Sequence, residues 1–260
     1  MSSGSLTFDR AADFYDATRG FPQQEIPHVA ALIAKTGQFT PKSRVLEIGV
    51  GTGRIAIPTA PYVGKYIGID LSLPMMERLH TKQTNEPIRL IQGDATQLPF
   101  ATGSMEAVIA VHVFHLIPGW QSALDEVKRI LRAGAPLLHG WGGSDAISRL
   151  IHEAQERTLP GAGRRPGIAA ERRATFLEEL GWQRVGDIAV HHYIQHKTPQ
   201  SEVDEVRRRS SSRTWALTDE QLEVYVAAAQ QAVEEHFPNP LEPVEVRSSF
   251  HLGAYLPPAR

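Results

Sequence analysis

The sequence predicts an α/β fold: a mostly parallel sheet with helices on both faces. Three observations lead there. Short apolar runs alternate with helical stripes from Arg44 to Leu138. Glu106 to Val111 is almost wholly apolar, as a strand buried on both faces must be. A glycine loop, Gly49-Val50-Gly51-Thr52-Gly53, follows the first apolar run directly.

The elements follow in order. Residues 7–37 read as helical, with Ile26, Val29, Ala30 and Ile33 on one face and Gly37 at the C′ position. Arg44 to Ile48 is the first strand, and the helix after its loop is short or kinked because of Pro58. Tyr66 to Asp70 is the second strand, and Met75, Met76 and Leu79 mark the next helix. Ile88 to Ile91 is the third strand and Glu106 to Val111 the fourth. Leu124, Val127, Ile130 and Leu131 form a helical stripe, and Leu137 and Leu138 belong to a fifth strand. Beyond it, Ser144 is a candidate cap for a helix carrying Ile147, Leu150, Ile151 and Ala154. Leu159 to Gly167 reads as a loop, and Phe176, Leu177 and Leu180 as a helix stopped by Gly181. Ile188, Val190, His192 and Ile194 alternate as a strand, as do Val244, Val246, Ser248, Phe250 and Leu252. Between them Thr218-Asp219-Glu220-Gln221 opens a helix with a capping box.

Bulk properties narrow the class. The 260 residues are 42% hydrophobic and 22% charged, ordinary values for a globular chain. A formal charge of −2 supplies no field toward nucleic acid. No apolar run reaches the roughly 18 residues of a membrane span. The absence of cysteine excludes disulfides and thiolate chemistry. The start, Met1 to Ser5, lacks the charged and apolar regions of a signal peptide, so a cytoplasmic location is expected. The eleven histidines show no H-E-x-x-H spacing, and adjacent His191 and His192 point to opposite sides of a strand. No metal site is therefore expected.

The glycine loop carries the chemistry. Arg54 stands where a dinucleotide fingerprint needs its third glycine. Glu47 ends the strand beside the loop; a carboxylate repels a pyrophosphate and attracts an ammonium group. A cofactor with an amino-acid end and no phosphate fits, and S-adenosyl-L-methionine is one.

Five segments in order now carry a resemblance: VLEIGVGTGR at 45–54, YIGIDLS at 66–72, GDATQLPF at 93–100, EAVIAVHVFHLI at 106–117 and LDEVKRILRAGAPLL at 124–138. Together they resemble the class I S-adenosylmethionine-dependent methyltransferases, nearest in look to the branch that includes ubiquinone/menaquinone-biosynthesis methyltransferases. The resemblance implies a Rossmann-like seven-stranded sheet of order 3-2-1-4-5-7-6 with an antiparallel last strand. It implies one domain over 1–260: an N-terminal helical lid (1–40), a cofactor core (41–140) and a substrate-side half (141–260) with a helical cap at about 197–238. It also assigns roles. Glu47 faces the cofactor's amino group and Gly49, Gly51 and Gly53 admit it. Asp70 accepts from the ribose hydroxyls, Leu71 packs on the adenine, and Asp94 with the Ala95 amide meets its amino edge. Val111 replaces a polar residue common at the end of strand four, and Ala133-Gly134-Ala135-Pro136 departs from a Pro-Gly-Gly pattern. His112 and His115 are candidates to orient the acceptor or take its proton. Phe14, Tyr15 and Arg19 sit in a helix that closes over the cofactor in similar enzymes, with Tyr15 and Arg19 toward the methionine carboxylate.

The expected reaction moves a methyl group to a small-molecule O, N or C nucleophile. An RNA or protein methyltransferase and a non-catalytic cofactor-binding protein are the competing readings; a nicotinamide dehydrogenase is disfavoured by Arg54. Trp141, Trp215 and the run Arg207-Arg208-Arg209 admit both packing and substrate roles. Monomer and homodimer are equally open.

Overall fold

The structure, a computed structural model, describes residues 20–259. A seven-stranded sheet of order β3-β2-β1-β4-β5-β7-β6 organises it, formed by β1 (Arg44–Ile48), β2 (Lys65–Asp70), β3 (Ile88–Gln92), β4 (Ala107–Val111), β5 (Leu137–Gly142), β6 (Gln183–Lys197) and β7 (Val244–Leu256). The pairings from β3 through β5 are parallel, with Leu46 of β1 in register with Ile67 on one side and Val108 on the other. Chain order reverses between β1 and β4, and that reversal opens a crevice at the strands' carboxyl ends.

Among the described residues the chain divides into two compact units. The first contains 20–141, 166–191 and 250–259. Its core joins Leu46, Ile48, Val108 and Ala110 to Leu124, Val127 and Ile130. The last three lie on one stripe of α4 (Trp120–Ile130), following α1 (Ile26–Thr36), α2 (Ala56–Thr59) and α3 (Leu73–Lys82). Pro58 leaves α2 four residues long before the chain tightens into a 3₁₀ turn, Ala60–Tyr62. Ser72 caps α3 by accepting from the Met75 amide, and Met75, Met76 and Leu79 are its buried face. In the predicted helix of 7–37, α1 begins only at Ile26 after a 3₁₀ turn, Gln23–Glu25; the portion before residue 20 lies outside the described residues. Gly37 has a helical φ of −78°, and the left-handed residue is Gln38 at 51°. Gly37 is needed for space instead, because the Phe39 ring covers its Cα.

The second unit contains 142–165 and 192–249. α5 (Ala146–Thr158), α7 (Pro199–Arg207) and α8 (Asp219–His236) enclose Ile147, Ile151, Val203, Val206, Tyr225, Ala229 and Val233; α6 (Phe176–Glu179) belongs to the first unit. Asp145, not Ser144, caps α5, accepting from the Ser148 amide at 2.9 Å. Lys197 ties that cap to α7 through Asp145 (3.1 Å) and Glu202 (2.7 Å). Arg209 donates to the Thr214 and Leu217 carbonyls and pairs with Asp219, so part of the arginine run is structural. Trp215 donates its indole N–H to the Arg209 carbonyl at 2.7 Å. The capping box is present, with Thr218 and Gln221 bonding reciprocally. Thr218→Ala is expected to cost about 1 kcal/mol in denaturant unfolding; an unchanged midpoint would show that α8 is held by packing alone. Among the described residues no helix is long and apolar enough to cross a membrane.

Candidate active site

The glycine loop leaves β1 at the sheet's reversal point. Gly49, Gly51 and Gly53 all have positive φ (71°, 53° and 82°). Their surroundings differ. A Cβ on Gly49 would stand 2.5 Å from Val113 Cγ2, so this glycine admits a neighbouring side chain. At Gly51 the nearest atom to such a Cβ among the described residues is Met75 Cε at 3.4 Å, so its bare backbone leaves room for a close approach.

Asp70, at the end of β2, fixes the loop. Its Oδ2 accepts from the Gly51 amide at 2.8 Å and its Oδ1 from the Ser72 amide at 2.9 Å. Both bonds come from backbone amides, one in the glycine loop and one at the start of α3, so the carboxylate holds the two together. Leu71 is partly buried, and its carbonyl accepts from Gln92 Nε2. Asp94 Oδ1 accepts from the amide (2.9 Å) and hydroxyl (2.8 Å) of Thr96, which makes it a turn aspartate whatever else it meets. Ala95 beside it packs on the core.

Glu47 is 2% exposed and accepts a 2.7 Å hydrogen bond from the Tyr66 hydroxyl. Burial pushes its carboxyl up to about 8, against the opposing pull of the Tyr66 hydrogen bond and Arg54. The Tyr66 phenol is raised too, by its own burial and then by Glu47. Arg54 lies over the Phe21 ring at 5.1 Å, and Phe21 meets Phe250 edge-on at 5.5 Å.

The structure gathers His112 and His115 beyond β4, where Val111 is buried in the strand end. His112 adopts a left-handed φ of 53°, a costly conformation for a non-glycine residue and one concentrated at functional sites. With Val113, Phe114, His139, Gly140, Trp141, Ile168, Arg173 and Phe176 the two histidines line a small pocket that opens to solvent. Val113 thus lines the pocket on one side and packs against the glycine loop on the other.

Among the pocket residues not anticipated from sequence are His139, Arg173 and Phe176. The imidazole of His139 faces two carbonyls, with Nδ1 3.3 Å from Ala110 O and Nε2 3.2 Å from Arg173 O. Burial lowers its pKa to about 4, and the Arg173 charge works in the same direction. A neutral ring has one N–H for two carbonyls, so His139 joins β4 and the 173 segment through one donated bond at a time. It stacks on Trp141 at 5.1 Å, and Trp141 stacks on His251 at 5.6 Å. A polar residue inside Leu137-Leu138-His139-Gly140-Trp141 is the signal that marks it. Tyr15 and Arg19, with Phe14, lie outside the described residues.

Comparison with known proteins bears on this geometry. A family model described as a methyltransferase domain matches residues 46–138. The uncharacterized methyltransferase YcgJ of Bacillus subtilis (strain 168) is 30% identical over 128 residues; the match covers 48% of this chain and 49% of that protein, so it spans about half the relative's length. A malonyl-[acyl-carrier protein] O-methyltransferase of Herminiimonas arsenicoxydans is 30% identical over 226 residues, covering 82% of this chain and 78% of the relative. The crystal structure of YcgJ from Bacillus subtilis superposes with a TM-score of 0.58 at 18% identity, over 89% of this chain and 99% of that one, which speaks for the fold alone. The open backbone at Gly51 and the paired acceptor at Asp70 suit a nucleoside with an amino-acid end, and the cofactor is S-adenosyl-L-methionine. The match through most of both chains settles membership: this protein belongs to the class I S-adenosylmethionine-dependent methyltransferases.

Proposed function

We propose that this protein transfers a methyl group to an anionic small molecule bound in the pocket beyond β4 and β5. Among O, N and C nucleophiles, a carboxylate oxygen suits this pocket best. The observation that carries the reading is the lining among the described residues: Arg173, three histidines and five aromatic or apolar side chains. Such a lining favours an acid through charge and a flat or apolar body through burial. Names of two relatives accord with it, a malonyl-[acyl-carrier protein] O-methyltransferase and a fatty-acid O-methyltransferase.

When bound, S-adenosylmethionine supplies a methyl group on a sulfonium. The acceptor's lone pair forms the new bond to that methyl carbon, and the C–S electrons stay on sulfur as a neutral thioether. On this reading a carboxylate attacks as an anion and has no proton to lose. His112 and His115 then orient the acceptor by donating hydrogen bonds, and Arg173 holds its charge. Rate comes from alignment of nucleophile, methyl and sulfur. Val113, between pocket and glycine loop, sets the spacing of the two ligands.

The test is an acceptor screen that follows S-adenosylhomocysteine formation, with paired acids and their amides. Acids are expected to be methylated and amides not. Arg173→Met is expected to raise the acceptor KM by about tenfold or more while leaving S-adenosylhomocysteine affinity unchanged. His115→Ala and His112→Ala are expected to lower kcat/KM by about 10- to 100-fold. Equal turnover of neutral acceptors, with Arg173→Met silent, would overturn the anionic reading. A kcat that rises with pH through a histidine pKa and is lost in His115→Ala would replace orientation by general-base catalysis.

A further inference from the structure

We propose that Glu25, His28 and His191 form a binding site for a divalent ion of zinc type, separate from the methyl-transfer pocket. Their donor atoms all lie within 4.8 Å of one another. Glu25 Oε2 is 2.8 Å from His191 Nε2 and 3.5 Å from His28 Nδ1. The two imidazole rings are 5.7 Å apart and tilted by 36°, so each presents a nitrogen to the same carboxylate oxygen.

The donor set decides the chemistry. Two imidazoles and one carboxylate are a common three-ligand set for zinc, which takes a water or other ligand as its fourth. Ligands about 2.0–2.2 Å from a tetrahedral ion sit roughly 3.3 Å from one another. The His28 separation, 3.5 Å, is already close to that value. The 2.8 Å His191 contact would open by roughly half an ångström as an ion takes its place between the two groups. Neutral imidazole and carboxylate also favour zinc, nickel or copper over magnesium or calcium, which prefer all-oxygen shells.

Placement supports access. Glu25 and His191 side chains are 17% and 22% exposed, whereas that of His28 is 67% exposed. An ion would enter from the His28 side and keep its fourth position toward water. Glu25 ends the 3₁₀ turn, His28 lies in the first turn of α1, and His191 is in β6, the last strand in the sheet order. Binding would therefore cross-link the start of α1 to that edge strand within the first unit. The long-range half of the site is invisible in sequence; only Glu25-Ile26-Pro27-His28, an E-x-x-H step, marks it locally.

The experiment uses the full chain, stripped with a chelator and dialysed. Zinc is titrated calorimetrically, and cobalt is followed by its visible absorption as a reporter of coordination. Expected are one equivalent bound, a visible band for tetrahedral cobalt, and a thermal midpoint raised by zinc. His191→Ala and Glu25→Gln are expected to weaken zinc binding by about 100-fold or more. His28→Ala, at the exposed ligand, keeps the fold intact and is expected to lose the cobalt band even if the other variants unfold. No saturable binding would overturn the proposal. So would zinc affinity that is unchanged in both His28→Ala and His191→Ala, because the ion would then be held elsewhere.

Discussion

Asp70→Ala is expected to weaken S-adenosylhomocysteine binding by about 100-fold or more while leaving the fold intact. Two losses add. On the proposed reading the carboxylate accepts from the cofactor's ribose diol. It also shapes the loop, since Oδ2 and Oδ1 hold the Gly51 and Ser72 amides at 2.8 and 2.9 Å. Without it, Gly51 keeps a positive φ of 53° with no side chain anchoring its N–H. Water reaches this partly buried position, which limits the stability cost to about 1–3 kcal/mol. Asp70→Asn is expected to behave almost as badly, because its NH₂ would face an amide donor. Titration of wild type and Asp70→Ala with S-adenosylhomocysteine and its 2′-deoxy analogue separates the two losses. If Asp70 touches the ribose, removing the hydroxyl costs the variant much less than it costs wild type. Additive losses would confine Asp70 to shaping the loop. Binding within threefold of wild type would remove it from the site.

The same residue shows how far sequence reading reaches. Strand β1 was legible to the residue, and so were the loop after it, the acid ending β2 and the capping box of α8, because each is set by neighbours in the chain. The strand order was implied by resemblance and is the order found. β6 was legible as a strand but not in its length or its faces. Its alternating apolar residues marked it as a strand, yet Val190 and Ile194 are 40% and 47% exposed, and the partly buried positions nearby are His191, Tyr193 and Gln195. An edge strand has one partner, and period-two alternation does not say which face the protein covers. His139 and Arg173 escaped notice for another reason. They are 34 positions apart, and their meeting depends on the 170–173 segment returning to β5. Trp141 was singled out with packing and pocket roles both open; it lines the pocket and stacks between His139 and His251.

Glu47→Gln is expected to separate stability from cofactor binding. In the cofactor-free protein burial lifts the Glu47 carboxyl to about 8, from an ordinary value of 4.5 in the unfolded chain. Between those values the folded state holds a proton that the unfolded state has lost. Stability contributed by this group is therefore full below about pH 4.5, falls as pH rises toward about 8, and is level above it. The whole fall is on the order of 5 kcal/mol at most. Glutamine keeps an oxygen for the Tyr66 hydroxyl and cannot ionise, so the variant's thermal midpoint should exceed that of wild type by a margin that grows from pH 6 to about pH 8. Binding should move the other way. If the cofactor's ammonium group is met by Glu47, the carboxyl must ionise as the ligand arrives, and at pH 7 about one proton is released. Calorimetry of S-adenosylhomocysteine binding in buffers of different ionisation heat reads that proton directly. Wild type should release it and Glu47→Gln should not, with affinity reduced by about tenfold or more. A variant that is more stable at pH 8 but binds normally, with no proton released by wild type, would make Glu47 a core acid paired with Tyr66 and leave the ammonium to another partner.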